Sequence, residues 1–225
     1  SSTFTQVRSG GWHTCGLRTD STLACWGANT FGQATPPAGT FVQLSEGFYH
    51  HCALRADGTP VCWGENAFGK ATPPAGTFIQ ISGGRNHTCG LRTDSALACW
   101  GLNTFGQATP PGGAFTQVSA GYSHTCGIRT DATLACWGEN TYGEATPPAG
   151  TFTEVSGGDN YTCALRTDQT IVCWGSTSLG QIAAPSGTFT EVSVGSNHTC
   201  ALRTDGMIAC WGRNDYGQAT PPPMW

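Results

Sequence analysis

Apolar and polar positions alternate with a period of two over short stretches of this chain. Phe115-Thr116-Gln117-Val118-Ser119 and Thr133-Leu134-Ala135-Cys136-Trp137 are two examples. Such alternation places apolar side chains on one face of a strand, and no stretch shows helical spacing. Clusters of Gly, Asn and Pro interrupt the pattern. From Phe4 onward it predicts strands near residues 4–9, 13–18 and 22–26, with a short outer strand near residues 32–35. Pro36 and Pro37 cannot sit inside a central strand, so they mark a connector.

The pattern recurs. Cys15, Cys52, Cys89, Cys126, Cys163 and Cys200 stand 37 residues apart, and so do Cys25, Cys62, Cys99, Cys136, Cys173 and Cys210. Six copies follow one another from Phe4 without insertion. Internal repetition of this kind decides the architecture. Four short strands per copy predict an all-β fold, a six-bladed β-propeller of four-stranded antiparallel blades forming one domain over residues 1–225. A β-solenoid is the rival, but its rungs are usually shorter and its ends need caps. The last copy stops where the first would resume, which predicts a closed ring.

The cysteine spacing fits a hairpin. If Thr19-Asp20-Ser21 is a three-residue loop, Leu17 faces Leu23 and Cys15 faces Cys25. Opposed residues at a non-hydrogen-bonded position have Cα atoms about 4.5 Å apart, within disulfide reach. One disulfide per blade is therefore expected, each closing a loop of about 11 residues and worth about 2.5–3 kcal/mol in the chain-entropy model. Zinc held by His13, Cys15 and Cys25 is the rival. The fifth copy argues against it, because Tyr161 replaces the histidine while Cys163 and Cys173 remain. Structural zinc sites also use closer cysteine pairs. Disulfides persist in oxidising compartments, so the expected location is secreted or cell-surface. Ser1-Ser2-Thr3 then reads as a mature terminus left after cleavage.

Composition narrows the partners. Charged residues make up 11% of the chain and the net charge is −4, with no Lys/Arg cluster. That gives no electrostatic footprint for nucleic acid. No apolar run approaches the roughly 20 residues that span a bilayer, so no membrane insertion is expected.

Gly121-Tyr122-Ser123-His124-Thr125-Cys126-Gly127-Ile128, then Asp131, then Cys136-Trp137-Gly138-Glu139-Asn140-Thr141-Tyr142-Gly143 resembles the repeat of the regulator-of-chromosome-condensation family. The likeness recurs in all six copies, and the cysteine-bearing form looks like repeats of secreted bacterial proteins. The chain departs from the family in having shorter units, fewer copies and no basic tail. The resemblance implies a propeller that recognises partners through one face of the ring. It does not fix the function, since members include an exchange factor, a photoreceptor and an enzyme inhibitor.

Comparison of the copies with each other points to a face. Phe4, Gly10, both cysteines, Arg18, Asp20, Trp26, Gly27, Gly32 and Pro37 recur in every copy. They read as structural, with Arg18 and Asp20 as turn chemistry and Trp26 as inter-blade core. Variation falls in two loops. One carries Gly11-Trp12, Phe48-Tyr49, Arg85-Asn86, Tyr122-Ser123, Asp159-Asn160 and Ser196-Asn197; the other carries Ala28, Glu65, Leu102, Glu139, Ser176 and Arg213. In an antiparallel blade both loops emerge at the same end, and loops on a rigid scaffold are the usual place for function. Trp12, Phe48, Tyr49, Arg85, Asn86, Tyr122 and Asp159 are thus the candidate ligand-binding residues, of types suited to protein hot spots or sugar stacking.

His13, His50, His87, His124 and His198 recur at one position, which predicts backbone hydrogen bonding. No nucleophile-plus-base pair stands out, so neither catalysis nor a cofactor or metal is expected. Asn86, Asn160 and Asn197 begin glycosylation sequons. The expected function is an extracellular, non-enzymatic module binding a protein or carbohydrate. Self-assembly into a coat or fibre is the alternative, helped by an apolar Pro223-Met224-Trp225 end.

Overall fold

The computed structural model describes residues 3–221, so Ser1, Ser2 and the Pro223-Met224-Trp225 end lie outside the described residues. Each copy folds as a three-stranded antiparallel sheet in chain order. Blade one holds β1 (Phe4–Ser9), β2 (His13–Arg18) and β3 (Leu23–Gly27). Blade two holds β4 (Gln43–Glu46), β5 (His50–Leu54) and β6 (Pro60–Gly64), and blade three β7 (Phe78–Gly83), β8 (His87–Arg92) and β9 (Leu97–Gly101). Blade four follows with β10 (Phe115–Ala120), β11 (His124–Arg129) and β12 (Leu134–Gly138). Blade five has β13 (Phe152–Gly157), β14 (Tyr161–Arg166) and β15 (Ile171–Gly175); blade six has β16 (Phe189–Val194), β17 (His198–Arg203) and β18 (Ile208–Gly212). The first strand of every blade lines one axial channel. The result is a propeller-like, all-β arrangement.

The hairpin register matches the spacing argument. Leu17 lies opposite Leu23 and Cys15 opposite Cys25. All six pairs are bonded within their own blade, with Cα atoms 4.0–4.1 Å apart. The loop works because its third residue takes positive φ, at Ser21 (66°), Gly58 (80°) and their equivalents. That conformation follows a type I turn in three-residue hairpins. The Asp20 carboxylate accepts from both the N–H and the hydroxyl of Thr22, locking the turn.

The fourth strand does not form. Residues 32–35 are a turn: Asn29 Oδ1 accepts the Ala34 N–H at 2.9 Å and Gln33 Oε1 accepts the Phe31 N–H at 2.8 Å. Gly32, with φ of 78°, makes the reversal. Local side chains meet the amides that a ladder would otherwise have to satisfy, and this competition removes the strand.

The blades are joined by one recurring junction. The Gln43 side-chain oxygen accepts the Ile81 N–H at 3.1 Å, and Gln80 does the same for Val118 at 2.9 Å. In blades two to six the repeat indole donates to the preceding blade, as Trp63 does to the Gln33 carbonyl at 3.0 Å. The histidines differ from expectation. His50 Nε2 lies 2.8 Å from the Thr88 hydroxyl of the next blade rather than on backbone. Thr88 in turn donates to the Lys70 carbonyl, so the ring must be the donor and Nδ1 is left bare. The ring packs so closely on the glycine three residues before it that a Cβ at Gly47 would overlap His50.

The ring is not closed. Phe41, Phe78, Phe115, Phe152 and Phe189 are at most 2% exposed, yet Phe4 at the same position is 40% exposed. Among the described residues five junctions are packed, and the sixth, between blades six and one, is open. The number of copies does not set the rotation per junction; the packing does.

Candidate functional site

The loop after the first strand and the loop after the third strand lie side by side at one end of each blade. Ala28 donates its N–H to the Trp12 carbonyl and Glu65 to that of Tyr49, both at 2.9 Å. The variable positions therefore share one face, and the Thr19 turns and connectors share the other. Arg18-type side chains belong to that second face. Arg55 stacks over Phe41 at 5.2 Å and Arg92 over Phe78 at 5.0 Å, which accounts for their recurrence by packing.

On the variable face an aromatic cluster bridges blades one and two. Phe48 and Tyr49 meet edge to face with centroids 4.7 Å apart. Trp12 lies over both at 5.9 and 6.0 Å and stays 69% exposed. Gly11, where the other copies carry a side chain, opens the space for it, since a Cβ there would press on the Phe48 ring. Arg85 continues the cluster, its guanidinium 5.3 Å from the Phe48 ring centroid and 4.2 Å from that of Tyr122. Arg85 is half-buried, and the two rings hold its guanidinium in place by cation–π contact.

Phe48, Arg85, Tyr122 and Asp159 also line the mouth of the axial channel, a shallow funnel of about 210 Å³. Burial raises the Asp159 carboxyl above its ordinary range, opposed by a Ser196 hydrogen bond and by the Arg85 charge. Asn86 faces inward instead, its Oδ1 accepting from Lys70 Nζ at 3.0 Å. The sequon asparagines are half-buried, and their threonines Thr88, Thr162 and Thr199 are fully buried in the junctions.

Two contributors escaped the comparison of copies. Phe31, 48% exposed, meets Tyr49 at 5.8 Å and extends the cluster. Lys70, fully buried, bonds Glu65 and stands 5.8 Å from the Tyr49 ring, supporting it from below. One signal was present: Lys70 is the sole lysine of the chain and stands where Gln33, Gln107, Gln181 and Gln218 stand in other copies. Exposed rings at Phe31, Phe68, Phe105, Tyr142 and Tyr216 likewise share one repeat position. Among the described residues no three His, Cys, Asp or Glu side chains converge as a metal site would require.

The regulator of chromosome condensation (RCC1) repeat matches residues 4–33, 41–70, 78–107, 115–144, 152–181 and 189–218. The chain belongs to the RCC1 repeat family. Each match spans one blade from its first strand to the turn after the third. No curated protein matches the chain. Among solved structures, the ectodomain of the Physcomitrella patens receptor kinase CR4 is 29% identical with a TM-score of 0.80. The match covers 93% of this chain and 61% of that ectodomain. The CRINKLY WD40 ectodomain of the Arabidopsis thaliana receptor kinase ACR4 is also 29% identical with a TM-score of 0.80, covering 93% of this chain and 80% of that one. Prp20p of Saccharomyces cerevisiae shares the fold at 16% identity and a TM-score of 0.84, over 97% of this chain and 74% of its own. The RCC1 fold with receptor-ectodomain neighbours is compatible with a binding module.

Proposed function

We propose that this chain is a non-enzymatic extracellular binding module that recognises a protein ligand through the aromatic and arginine patch of blades one to four. One observation carries the reading: Trp12 stays 69% exposed on top of Phe48 and Tyr49, with Arg85 clamped between Phe48 and Tyr122. An exposed tryptophan on a fixed aromatic base adds contact area at small entropic cost, and Trp, Tyr and Arg dominate measured hot spots. The half-buried rings beneath it limit rearrangement on binding. Six disulfides support folding in an oxidising compartment, and the similarity to receptor ectodomains supports an extracellular setting.

A carbohydrate ligand is the second reading, favoured by the exposed rings at Phe68, Phe105, Tyr142 and Tyr216. The test is affinity capture from native extracellular material, run beside a glycan array. Trp12→Ala and Tyr49→Ala should each weaken capture of the protein by about 2 kcal/mol or more. Thr19→Ala on the opposite face should leave it intact. Loss of capture with Thr19→Ala alone refutes the site, and array binding without protein capture selects the second reading.

A further inference from the structure

Two copies depart from the others at the turn after the third strand. Four copies hold Gln33, Gln107, Gln181 and Gln218 at one position, whereas the second holds Lys70 and the fourth Glu144. These two copies alone place a glutamate five residues earlier, Glu65 and Glu139. Both are followed by a blade with an asparagine in its first loop, Asn86 and Asn160.

The backbone around the two positions is alike. The Lys70 carbonyl accepts from the Thr88 hydroxyl at 2.9 Å and the Trp100 indole at 2.8 Å. The Glu144 carbonyl accepts from Thr162 at 3.1 Å and Trp174 at 2.9 Å. Glu65 and Glu139 donate their N–H groups to the Tyr49 and Ser123 carbonyls, both at 2.9 Å. The Asn86 and Asn160 carbonyls accept from Leu102 and Ser176, both at 2.8 Å.

Between blades two and three this frame encloses a cation. The buried Lys70 ammonium donates to the Glu65 carboxylate, to Asn86 Oδ1 at 3.0 Å and to the Arg85 carbonyl at 3.4 Å. Between blades four and five the corresponding positions belong to Glu139, Asn160 and Asp159, and a second carboxylate replaces the lysine. Glu144 is 1% exposed. Its Oε2 accepts the Tyr142 N–H at 2.7 Å, while its Oε1 is buried with no partner. Burial raises the Glu144 carboxyl above its ordinary range, opposed by the Glu144 and Tyr142 N–H groups, and the Glu139 charge raises it further. Among the described residues no basic side chain pairs with either glutamate. A buried carboxylate oxygen without a donor or counter-charge is costly.

We propose that the junction between blades four and five binds a hard divalent cation, calcium, where the Lys70 ammonium stands between blades two and three. Its protein ligands are the Glu139 and Glu144 carboxylates, the Asn160 side-chain oxygen and the Asp159 carbonyl. All four are oxygens, which favours calcium or magnesium over zinc. The set has two carboxylates rather than three converging acidic or histidine side chains, and calcium also takes amide and carbonyl oxygens. With water supplying the rest of its roughly six to eight ligands, calcium suits this mixed set better than magnesium, which demands a near-ideal octahedron. The cation ties blade four to blade five as Lys70 ties blade two to blade three. The site does not depend on which ligand the aromatic patch binds.

The test titrates the oxidised chain, first stripped of metal with a chelator, with calcium chloride by calorimetry at neutral pH. One site with a Kd of about 10⁻⁴–10⁻³ M is expected, together with a raised thermal midpoint. Glu144→Gln introduces the residue of four other copies, so it keeps the fold, and it should weaken calcium binding at least about ten-fold. Glu144→Lys should rebuild the blade-two arrangement and abolish the response to calcium. The proposal is overturned if the parent takes up no calcium at about 10 mM, or if either variant binds it as tightly as the parent. It is equally overturned if infrared difference spectra against Glu144→Gln show a protonated Glu144 carboxyl at saturating calcium.

Discussion

Replacing His87 by tyrosine should make the protein less sensitive to acid. Burial pushes the His87 imidazole down to about 3, while the unfolded chain titrates near the ordinary 6.5. Its folded value is depressed, so the unfolded state binds a proton first and stability is lost as pH falls below 6.5. Between pH 7 and pH 5 the folded ring stays neutral. The loss is then about 1.36 kcal/mol for each of roughly 1.5 pH units, or about 2 kcal/mol from this one residue. Tyrosine suits the position because the fifth copy already holds Tyr161 there, its hydroxyl donating to the His198 carbonyl at 2.7 Å. Paired urea denaturation of parent and His87→Tyr at pH 7 and pH 5, disulfides intact, measures the difference. The variant should lose about 2 kcal/mol less than the parent. The Glu154 and Asp159 carboxyls, pushed up by burial, work in the opposite direction at lower pH but are common to both proteins and cancel. Equal losses in the two proteins would refute the buried, neutral, donating histidine. His51, at about 3, and His124, at about 4, should add to the acid sensitivity of the parent.

Reduction of the six disulfides should lower the thermal midpoint substantially, read by calorimetry with and without reductant; an unchanged curve after verified reduction shows that the junctions alone suffice. Gly84→Ala should destabilise the fold by more than about 2 kcal/mol in urea, because the new methyl would overlap the Gly121 carbonyl and the His87 ring. Gly106→Ala, where the space is open but φ is 82°, should cost only about 1 kcal/mol by the same measurement. Lys70→Met should destabilise by about 3 kcal/mol, since Glu65 loses its buried partner; Lys70→Gln, the residue of four other copies, should restore part of that.

Much of the fold was legible because repetition acts as its own alignment. The period of the cysteines, the alternation within each copy and the three-residue loop determined the hairpin register, and with it all six disulfides. Period-two patterning says which side chains share a face, and a tight turn says which residues lie opposite; both are local facts. The grouping of Trp12, Phe48, Tyr49, Arg85 and Tyr122 was also foreseeable, because variable loops at one end of neighbouring blades must be near each other. Tertiary structure decided the rest. The supposed strand at residues 32–35 became a turn once the Asn29 and Gln33 side chains took its amides. The histidine partner lies 38 residues away across a junction, a distance that no local pattern encodes. Closure depends on the rotation accumulated over five packed junctions, which is set by how Phe, Val and Trp side chains interlock rather than by how many copies the chain contains. That is why six copies read as a ring in sequence and stand as an open arc in space.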